Sequence, residues 1–353
     1  MQPFARLARR VGAVPPTASL SNVQRTFRSL APLSANVAPA VGSSGPPPPP
    51  PAGESDGYDM ARRRKRLRQM EMLRQLKNIK ENGRGAKMRF WDDVSVREVD
   101  DHLQVFLDDR PLRHPSTKQI VRIPASKPHL ATALALEWDV LTATQDATKN
   151  HLIPLTSLVC RALDIEAEGP AGPIRQSVTQ SLMPYLDTDS LLCWAPEGDE
   201  RTETLRELQR ATADDVIGFL VGRVWPGSTI VPVLDGASIF PRSQEPGTRD
   251  VVQGWVSGLS SWELAGLERA VLAGKSVLLA ARLVAEWSEG PAGVARSEGG
   301  ERFGVELAAR AASLEVAFQT GNWGEVEDTH DVEKEDVRRQ LGSTVLLIAG
   351  EGR

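Results

Sequence analysis

The stretch that decides the fold is residues 94–107, VSVREVDDHLQVFL, where apolar and polar residues alternate along the chain. A period of two places successive side chains on opposite faces of an extended strand, so this stretch predicts paired β-strands. The segment Asp108-Asp109-Arg110-Pro111 supplies turn residues, and Gln119–Ile123 predicts a third short strand that Pro124 closes. The sequence therefore predicts a small antiparallel sheet.

Beyond the sheet, the apolar spacing changes to the three and four residues of helices. We expect Ser126 to be the N-cap of the first helix and Pro128 to lie in its first turn. The apolar stripe of this helix recurs at steps of four, at Leu130, Leu134 and Trp138. The pattern predicts a helix with one buried face.

The remainder of the chain is predicted to be mainly helical. The helices are expected at Pro154–Leu163, Pro173–Tyr185, Glu203–Gln209, Ala213–Val224, Thr248–Leu259, Trp262–Leu272, Ser276–Trp287, Val305–Thr320 and Val332–Ala349. Two short strands are also expected, at Ser190–Trp194 and Thr229–Val233. Ser260 and Glu263 have the spacing of a capping box, which marks the start of a helix.

These patterns predict an α+β protein, with a small mixed N-terminal domain that carries the antiparallel sheet and a mainly helical C-terminal domain. We place the mixed domain at residues 87–198 and the helical domain at residues 199–351, with a flexible Gly/Ser/Glu-rich loop at 288–300. Residues 58–86 are expected to be a basic helical lead-in, whose apolar residues recur at Leu67, Met70, Leu73 and Leu76. The run Arg62–Arg66 is also a candidate nucleic-acid patch, but a solvated basic face is the favoured interpretation.

Residues 1–57 have the composition of a mitochondrial transit peptide followed by a proline-rich linker. The first 53 residues contain no Asp or Glu but five arginines among many Ser, Ala and Pro residues. Pro46–Pro51 is a run of six prolines, which favours a stiff solvated spacer. The composition predicts import into the mitochondrial matrix, and a tail without a targeting role is the alternative.

The charge of the chain is divided unevenly. Residues 1–90 carry 17 Lys and Arg and 5 Asp and Glu, a net charge of +12, whereas the remaining residues carry 25 and 41, a net charge of −16. An acidic folded part disfavours nucleic acid as its partner.

No apolar run reaches the roughly 18 residues that a membrane span requires, so no span is expected. Cys160 and Cys193 lie among apolar neighbours, which favours buried free thiols over a disulfide or a metal site.

Two stretches are candidates for sites of chemistry. The segment Leu272-Ala273-Gly274-Lys275-Ser276 resembles the end of a phosphate-binding loop, but Arg269 stands where that motif requires a glycine. A break between two helices, with glycine at a C-cap, is therefore favoured over nucleotide binding.

Asp187 and Asp189 can pair for acid–base or metal chemistry, but their position at a turn favours a structural role in capping backbone groups. The five histidines have no metal-ligand spacing, so we expect no catalytic residue, no cofactor and no metal. An enzyme or nucleotide-binding protein with an unrecognised site stays the alternative.

Several short motifs occur in the order that they have in one protein family. They are Arg89-Phe90-Trp91, Leu107–Leu112, Ile123–Ser126, Glu137-Trp138-Asp139, Tyr185–Asp189, Glu207-Leu208-Gln209, Trp262–Glu268, Leu314-Glu315, Trp323-Gly324 and His330-Asp331. The chain resembles the mitochondrial assembly factors that chaperone the alpha subunit of the F(1) sector of ATP synthase. Each motif alone is weak, but the ordered series is specific and covers about residues 87–349.

The resemblance implies a binding protein without catalysis or cofactor, expected to be a monomer in the mitochondrial matrix. Its implied partner is the unassembled alpha subunit, whose beta-facing surface it shields until the beta subunit takes its place. An exposed apolar face of this kind is an aggregation hazard, so a chaperone that covers it would keep the free subunit from aggregating. The chain departs from the family pattern at the loop Ser288–Gly300 and at Asp328-Thr329, which precede His330.

The resemblance also implies roles for particular residues. Glu315 matches the family position thought to carry function, and we expect Leu314, Phe318 and Trp323 to bind the partner with it. We expect Glu315 to lie beside an apolar side of the predicted helix Val305–Thr320 that contains Leu307, Ala311, Leu314 and Phe318. Helix geometry alone equally allows a solvated glutamate at this position. Trp138, Asp187 and Asp189 are expected to be structural.

Overall fold

The computed structural model describes residues 89–236, 240–295 and 302–351. The predicted leader at 1–57, the lead-in at 58–86 and the end of the loop at 296–300 lie outside the described residues. The described part begins with the predicted sheet and continues as helices, which confirms the α+β class. The division into two domains at residue 198 stays a prediction.

The sheet is antiparallel and centred on its second strand. Strands β1 (Val94–Val99) and β2 (His102–Leu107) pair with Val94 opposite Leu107, and the short strands β3 (Arg110–Pro111) and β4 (Ile123–Pro124) also pair with β2. Asp100 and Asp101 form the two-residue turn between β1 and β2 with φ of 53° and 59°. Aspartate tolerates this left-handed conformation, which matches the twist of a tight hairpin.

The predicted third strand at Gln119–Ile123 is mostly wrong. Only Ile123 and Pro124 form a strand, and Ile120 makes one isolated bridge with Arg113. The predicted N-cap at Ser126 is also wrong, because the helix has Lys127 at its N-cap position without a side-chain cap. The Ser126 hydroxyl instead donates a hydrogen bond to Glu289 Oε1 at 2.9 Å.

The structure contains ten α-helices within the described residues. They are α1 (Pro128–Val140), α2 (Pro154–Glu168), α3 (Pro173–Leu182), α4 (Glu203–Arg223), α5 (Pro246–Gly258), α6 (Ser261–Gly274), α7 (Val277–Trp287), α8 (Val305–Ala312), α9 (Leu314–Trp323) and α10 (His330–Ile348). Short 3₁₀ segments occur at Thr144–Thr148, Met183–Asp187 and Ser190–Leu192.

Four parts of the expected helix and strand pattern differ from the structure. The helices expected at Glu203–Gln209 and Ala213–Val224 are one continuous helix, α4, and the helix expected at Val305–Thr320 is divided at Ser313. The strand expected at Ser190–Trp194 is instead a 3₁₀ turn, followed by an isolated parallel bridge between Cys193 and Leu234. The segment Thr229–Val233 forms no strand.

The core is built around helices α6 and α7. Helix α6 packs against α2, α7 and α10, and α7 also contacts α4 and α8. The apolar run of α7 is buried on all sides, as in Leu278, Leu279 and Leu283 at 0% exposure. A helix whose side chains are nearly all apolar has to lie inside the protein, which explains why α7 becomes the centre, and its buried Arg282 is paired with Glu286 at 3.0 Å. Helix α1 covers the sheet, since it packs on β1 and β2.

A buried polar network fastens the two ends of the fold together. Lys127 is 3% exposed, and its ammonium lies 2.7 Å from Glu289 Oε1 and donates to the carbonyl of Ile348 at 3.1 Å. Burial lowers the pKa of Lys127, and the hydrogen bond with Glu289 opposes that shift. The network therefore ties the start of α1 to the end of α10 and to the segment after α7.

The predicted capping box at the start of α6 is confirmed. Ser260 accepts from the Glu263 amide, and the Glu263 carboxylate accepts from the Ser260 amide at 2.7 Å. The same carboxylate accepts from the Ser288 hydroxyl at 2.6 Å and from the Ala292 amide at 2.9 Å. The first half of the predicted loop 288–300 is therefore held against the core by the cap of α6.

Candidate functional site

Helix α9 is the least buried of the described helices that carry predicted site residues. None of its residues is buried, although α8 directly before it buries Ala308, Ala309 and Ala311. Ser313 separates the two with φ of −114° and ψ of 16°, outside helical values. The continuous apolar stripe expected from Leu307 to Phe318 is therefore wrong, because only its α8 part enters the core.

Large apolar side chains are exposed at and beyond the end of α9. Trp323 is 58% exposed, Val326 59% and Val332 57%. Exposed acidic residues lie between and beside them, at Glu325, Glu327, Asp331 and Glu333. We call residues 323–333 the acidic-apolar edge. Apolar side chains with a polar border are typical of a protein-binding surface rather than of a solvated face.

The other end of α9 borders a small cleft. The cleft has a volume of about 60 Å³, and its lining residues are Ser190, Leu191, Gln209, Ala311, Ala312, Leu314 and Glu315. Two sequence motifs that are far apart in the chain therefore meet here, through Gln209 of one and Leu314 with Glu315 of the other. The Glu315 carboxylate is exposed and accepts a hydrogen bond from Gln319 at 3.0 Å. Along the helix, Glu315 and Trp323 are eight residues apart, about 12 Å.

The predicted partner-binding residues thus occupy one helix but two environments. Leu314 and Glu315 border the cleft, Phe318 is half-buried in the middle of α9, and Trp323 is exposed at its end. Helix α9 contacts α4, which carries Gln209. The structure therefore brings these four residues to one helix that leans on α4 and leaves its outer side open.

Asp189 is a fully buried carboxylate directly beside the cleft. Its Oδ1 accepts from the Leu191 amide and its Oδ2 from the Leu278 amide, both at 3.0 Å. Burial raises the pKa of Asp189 to about 6, against the hydrogen bonds from Ser276 and from these amides, which favour the charged form. Asp189 thereby caps the turn Ser190–Leu192 and joins it to the start of α7.

Asp189 should make the stability of the protein fall between pH 4 and pH 6. Its pKa is near 3.8 when unfolded and about 6 when folded, so in this window the folded state binds more protons. The free energy of unfolding should therefore drop by about 2 kcal/mol as the pH rises from 4 to 7. Urea titrations at pH 4 and pH 7 should show that the advantage of wild type over Asp189→Asn shrinks by this amount. An advantage independent of pH would contradict the expectation.

Asp187 helps to hold the segment Thr229–Val233, which was expected to be a strand. Its carboxylate forms an ion pair with Arg249 and accepts a hydrogen bond from the backbone amide of Gln244 at 3.3 Å. The Gln244 side chain in turn bonds both backbone groups of Val231, accepting from its amide at 3.0 Å and donating to its carbonyl at 2.7 Å. The Gln244 side chain thus makes the hydrogen bonds to the backbone of Val231 that a neighbouring strand would make in a sheet.

Trp138 lies between the sheet and α2. Its ring centroid is 5.5 Å from that of Trp91, and its indole nitrogen donates to Thr156 Oγ1 at 2.9 Å. The neighbouring Glu137 carboxylate accepts from the amides of Leu155 and Thr156, both at 2.8 Å, so it caps the start of α2. Burial raises the pKa of Glu137, and the bonds from Thr156 oppose that shift. This motif therefore joins α1 to α2.

The segment Gly274-Lys275-Ser276 is a break between two helices, as predicted. It follows α6 rather than a strand, and Lys275 at φ 55° occupies the C-cap that was expected to be glycine. The carbonyls of Gly274 and Lys275 accept hydrogen bonds from Ser190, at 2.9 and 3.1 Å. Ser276 caps α7 by accepting from the Leu279 amide at 2.9 Å. These contacts give the segment a structural use in place of a phosphate cradle.

The other candidates for chemistry within residues 89–236, 240–295 and 302–351 are acidic side chains, histidines and the two cysteines. In this part of the chain, no group of three or more His, Cys, Asp or Glu side chains converges as a metal site would require. Both cysteines are free, and burial raises the pKa of Cys160 to about 12. None of the helices described is both long and apolar enough to cross a membrane.

The chain is similar to known proteins of one family. Residues 88–221 match the model of the ATP12 chaperone protein family. Two mitochondrial yeast proteins named ATP12 are similar to it: that of Saccharomyces cerevisiae is 32% identical over 279 residues, or 74% of this chain and 83% of the relative. The chain belongs to the ATP12 chaperone family. The second relative, the mitochondrial ATP12 protein of Schizosaccharomyces pombe, is 30% identical over 266 residues, or 73% of this chain and 81% of the relative.

A solved structure agrees with this assignment at the level of the fold. The crystal structure of Atp12 from Paracoccus denitrificans matches with a TM-score of 0.54 and 21% sequence identity, over 74% of this chain and 97% of that one. The predicted family is therefore confirmed, and so is the ATP12-type fold of a small antiparallel sheet followed by helices.

Sequence reasoning missed part of this site in the ATP12-family chain. The acid-rich segment that contains Val326 is by its sequence either a binding face or a solvated loop, but neither Val332 nor Leu208 on α4 was expected to be exposed. The signal for Val332 was available, because Asp331 and Glu333 flank it in the sequence and charged residues are mostly exposed. Leu208 had no such signal, since its exposure depends on how α4 packs.

Proposed function

We propose that this ATP12-family chain is a chaperone for assembly of the mitochondrial ATP synthase. It binds the unassembled alpha subunit of the F(1) sector in the matrix, as a monomer, and shields the surface that later meets the beta subunit. The observation that carries the proposal is helix α9 with the acidic-apolar edge, where exposed Trp323, Val326 and Val332 alternate with acidic residues. The family membership and the mitochondrial relatives support it.

The chemistry of this surface suits a temporary partner. Three exposed apolar side chains offer area to an apolar face, which favours binding through the hydrophobic effect. The surrounding carboxylates stay solvated in the free protein, so they steer a basic rim of the partner and keep the surface soluble. A partly polar interface of moderate size is firm enough to hold a subunit and weak enough to be displaced.

Release needs no chemical step on this model. The beta subunit buries the same face of alpha over a larger area, so mass action alone exchanges the chaperone for beta. No catalytic group takes part in that exchange. Glu315 and the cleft beside it would orient the alpha subunit on α9, while the acidic-apolar edge would supply the apolar contact.

The proposal is tested by mixing the purified protein with isolated alpha subunit. An equimolar amount of this chain should suppress the light scattering of aggregating alpha, and the two should elute together as a one-to-one complex. Added beta subunit should then displace the chain from the complex. Beta alone serves as the matched control and should not co-elute with the chain. Failure to suppress aggregation, or equal capture of beta, would refute the proposal.

A further inference from the structure

A second apolar surface lies along the C-terminal half of α1. It is a groove of about 480 Å³, and its floor and walls include Leu136, Val140, Leu152, Pro154 and Arg339. We call it the α1 groove. Leu136 is 60% exposed, Val140 76% and Leu152 39%, so three large apolar side chains face water here. Such a groove has the lining that an amphipathic helix recognises.

The chain enters the described structure beside this groove. Arg89 Nη1 donates to the carbonyl of Asp139 at 2.7 Å and lies 3.2 Å from its carboxylate. Asp139 directly precedes Val140, which lines the groove. Trp91 then enters the core at 1% exposure and fixes the chain in this place. The Arg89 side chain is therefore held at the residue of α1 that precedes Val140.

The chain before Arg89 contains a segment of matching chemistry. Within residues 61–80, apolar residues recur in steps of three at Leu67, Met70, Leu73 and Leu76, surrounded by nine Lys and Arg and one Glu. Residues 91–353 carry a net charge of −16, so this segment and the folded body have opposite charge. The eight residues between Lys80 and Arg89 span up to about 27 Å when extended, which is enough for the segment to return to the groove.

We propose that the apolar stripe of residues 61–80 docks into the α1 groove of the same chain. Docking covers Leu136 and Val140 and turns the basic side chains towards the acidic body and the solvent. Because the segment is tethered at Arg89, its effective concentration at the groove is high, so modest contacts are sufficient. The groove is thereby kept closed to other apolar segments, while the acidic-apolar edge stays open.

Hydrogen exchange on the full chain tests the proposal. Amides of residues 61–80 should exchange about tenfold more slowly in wild type than in the double variant Leu136→Lys/Val140→Lys, which removes the apolar contact and repels the basic segment. The matched control is Val251→Lys, an exposed apolar residue on α5, which should leave that protection unchanged. Slow exchange in α6 shows that each variant is folded. If the lysine pair unfolds the protein, Leu136→Asn/Val140→Asn replaces it.

Three outcomes would overturn the proposal. The first is exchange of residues 61–80 at the rate of an unprotected peptide in wild type. The second is protection that persists in the folded double variant. The third is protection that increases with protein concentration, because it would place the segment in the groove of a second copy.

Discussion

Replacing Trp138 with alanine should lower the free energy of unfolding by about 3–5 kcal/mol. The indole is 8% exposed, packs on Trp91 at 5.5 Å, and donates to Thr156 at 2.9 Å. Its loss leaves a cavity between α1, the sheet and α2, and it leaves Thr156 without this donor. Urea denaturation followed by circular dichroism measures the change.

Two variants separate the contributions of packing and hydrogen bonding at this position. Trp138→Phe keeps an aromatic ring against Trp91 but has no donor for Thr156, so it should cost less than the alanine variant. Trp323→Ala removes an exposed tryptophan from α9 and should change stability by no more than about 0.5 kcal/mol. Equal losses for Trp138→Ala and Trp323→Ala would contradict the burial that the structure assigns to Trp138.

Replacing Glu315 with lysine should weaken capture of the alpha subunit by at least about tenfold, or 1.4 kcal/mol. Glu315 borders the cleft on α9, and its described side-chain contact is the hydrogen bond with Gln319 at 3.0 Å. The substitution reverses the charge at the start of α9, where the partner is expected to be oriented. Pull-down of alpha at several chaperone concentrations measures the effect.

The folding and the specificity of this variant need separate controls. Since Glu315 is exposed, its lysine variant should unfold at the same urea concentration as wild type. Glu166→Lys makes the same charge change at an exposed position of α2 and should capture alpha as wild type does. Equal weakening by both lysine variants would show a general charge effect, and undiminished capture by Glu315→Lys would remove Glu315 from the proposed surface.

Local patterns were sufficient wherever a single element decides its own conformation. The alternation at residues 94–107 specified β1 and β2 because adjacent strands joined by a two-residue turn need no distant partner. Ser260 and Glu263 specified the start of α6, because a capping box is closed within four residues. Pro128 was correctly placed in the first turn of α1.

Local patterns failed where a distant contact competes for the backbone. Ser190–Trp194 has the composition of a strand, but the buried Asp189 carboxylate draws the Leu191 amide into a 3₁₀ turn. Ser313 divides α8 from α9, although no glycine or proline at this position indicates a break in the helix. The first outcome also depends on the Leu278 amide, which binds the same carboxylate from far away in the sequence, so propensity and spacing had no access to it.

The sequence by itself determined the α+β class, the family and the uneven charge, because these follow from spacing, ordered motifs and composition. Only the tertiary structure decided which apolar residues stay outside the core. It divided the predicted stripe at Ser313, buried Ala311 and left Trp323 exposed among carboxylates. The physical reason is that exposure is a property of packing: a helix has an apolar side by sequence, but whether that side is covered depends on the elements that reach it.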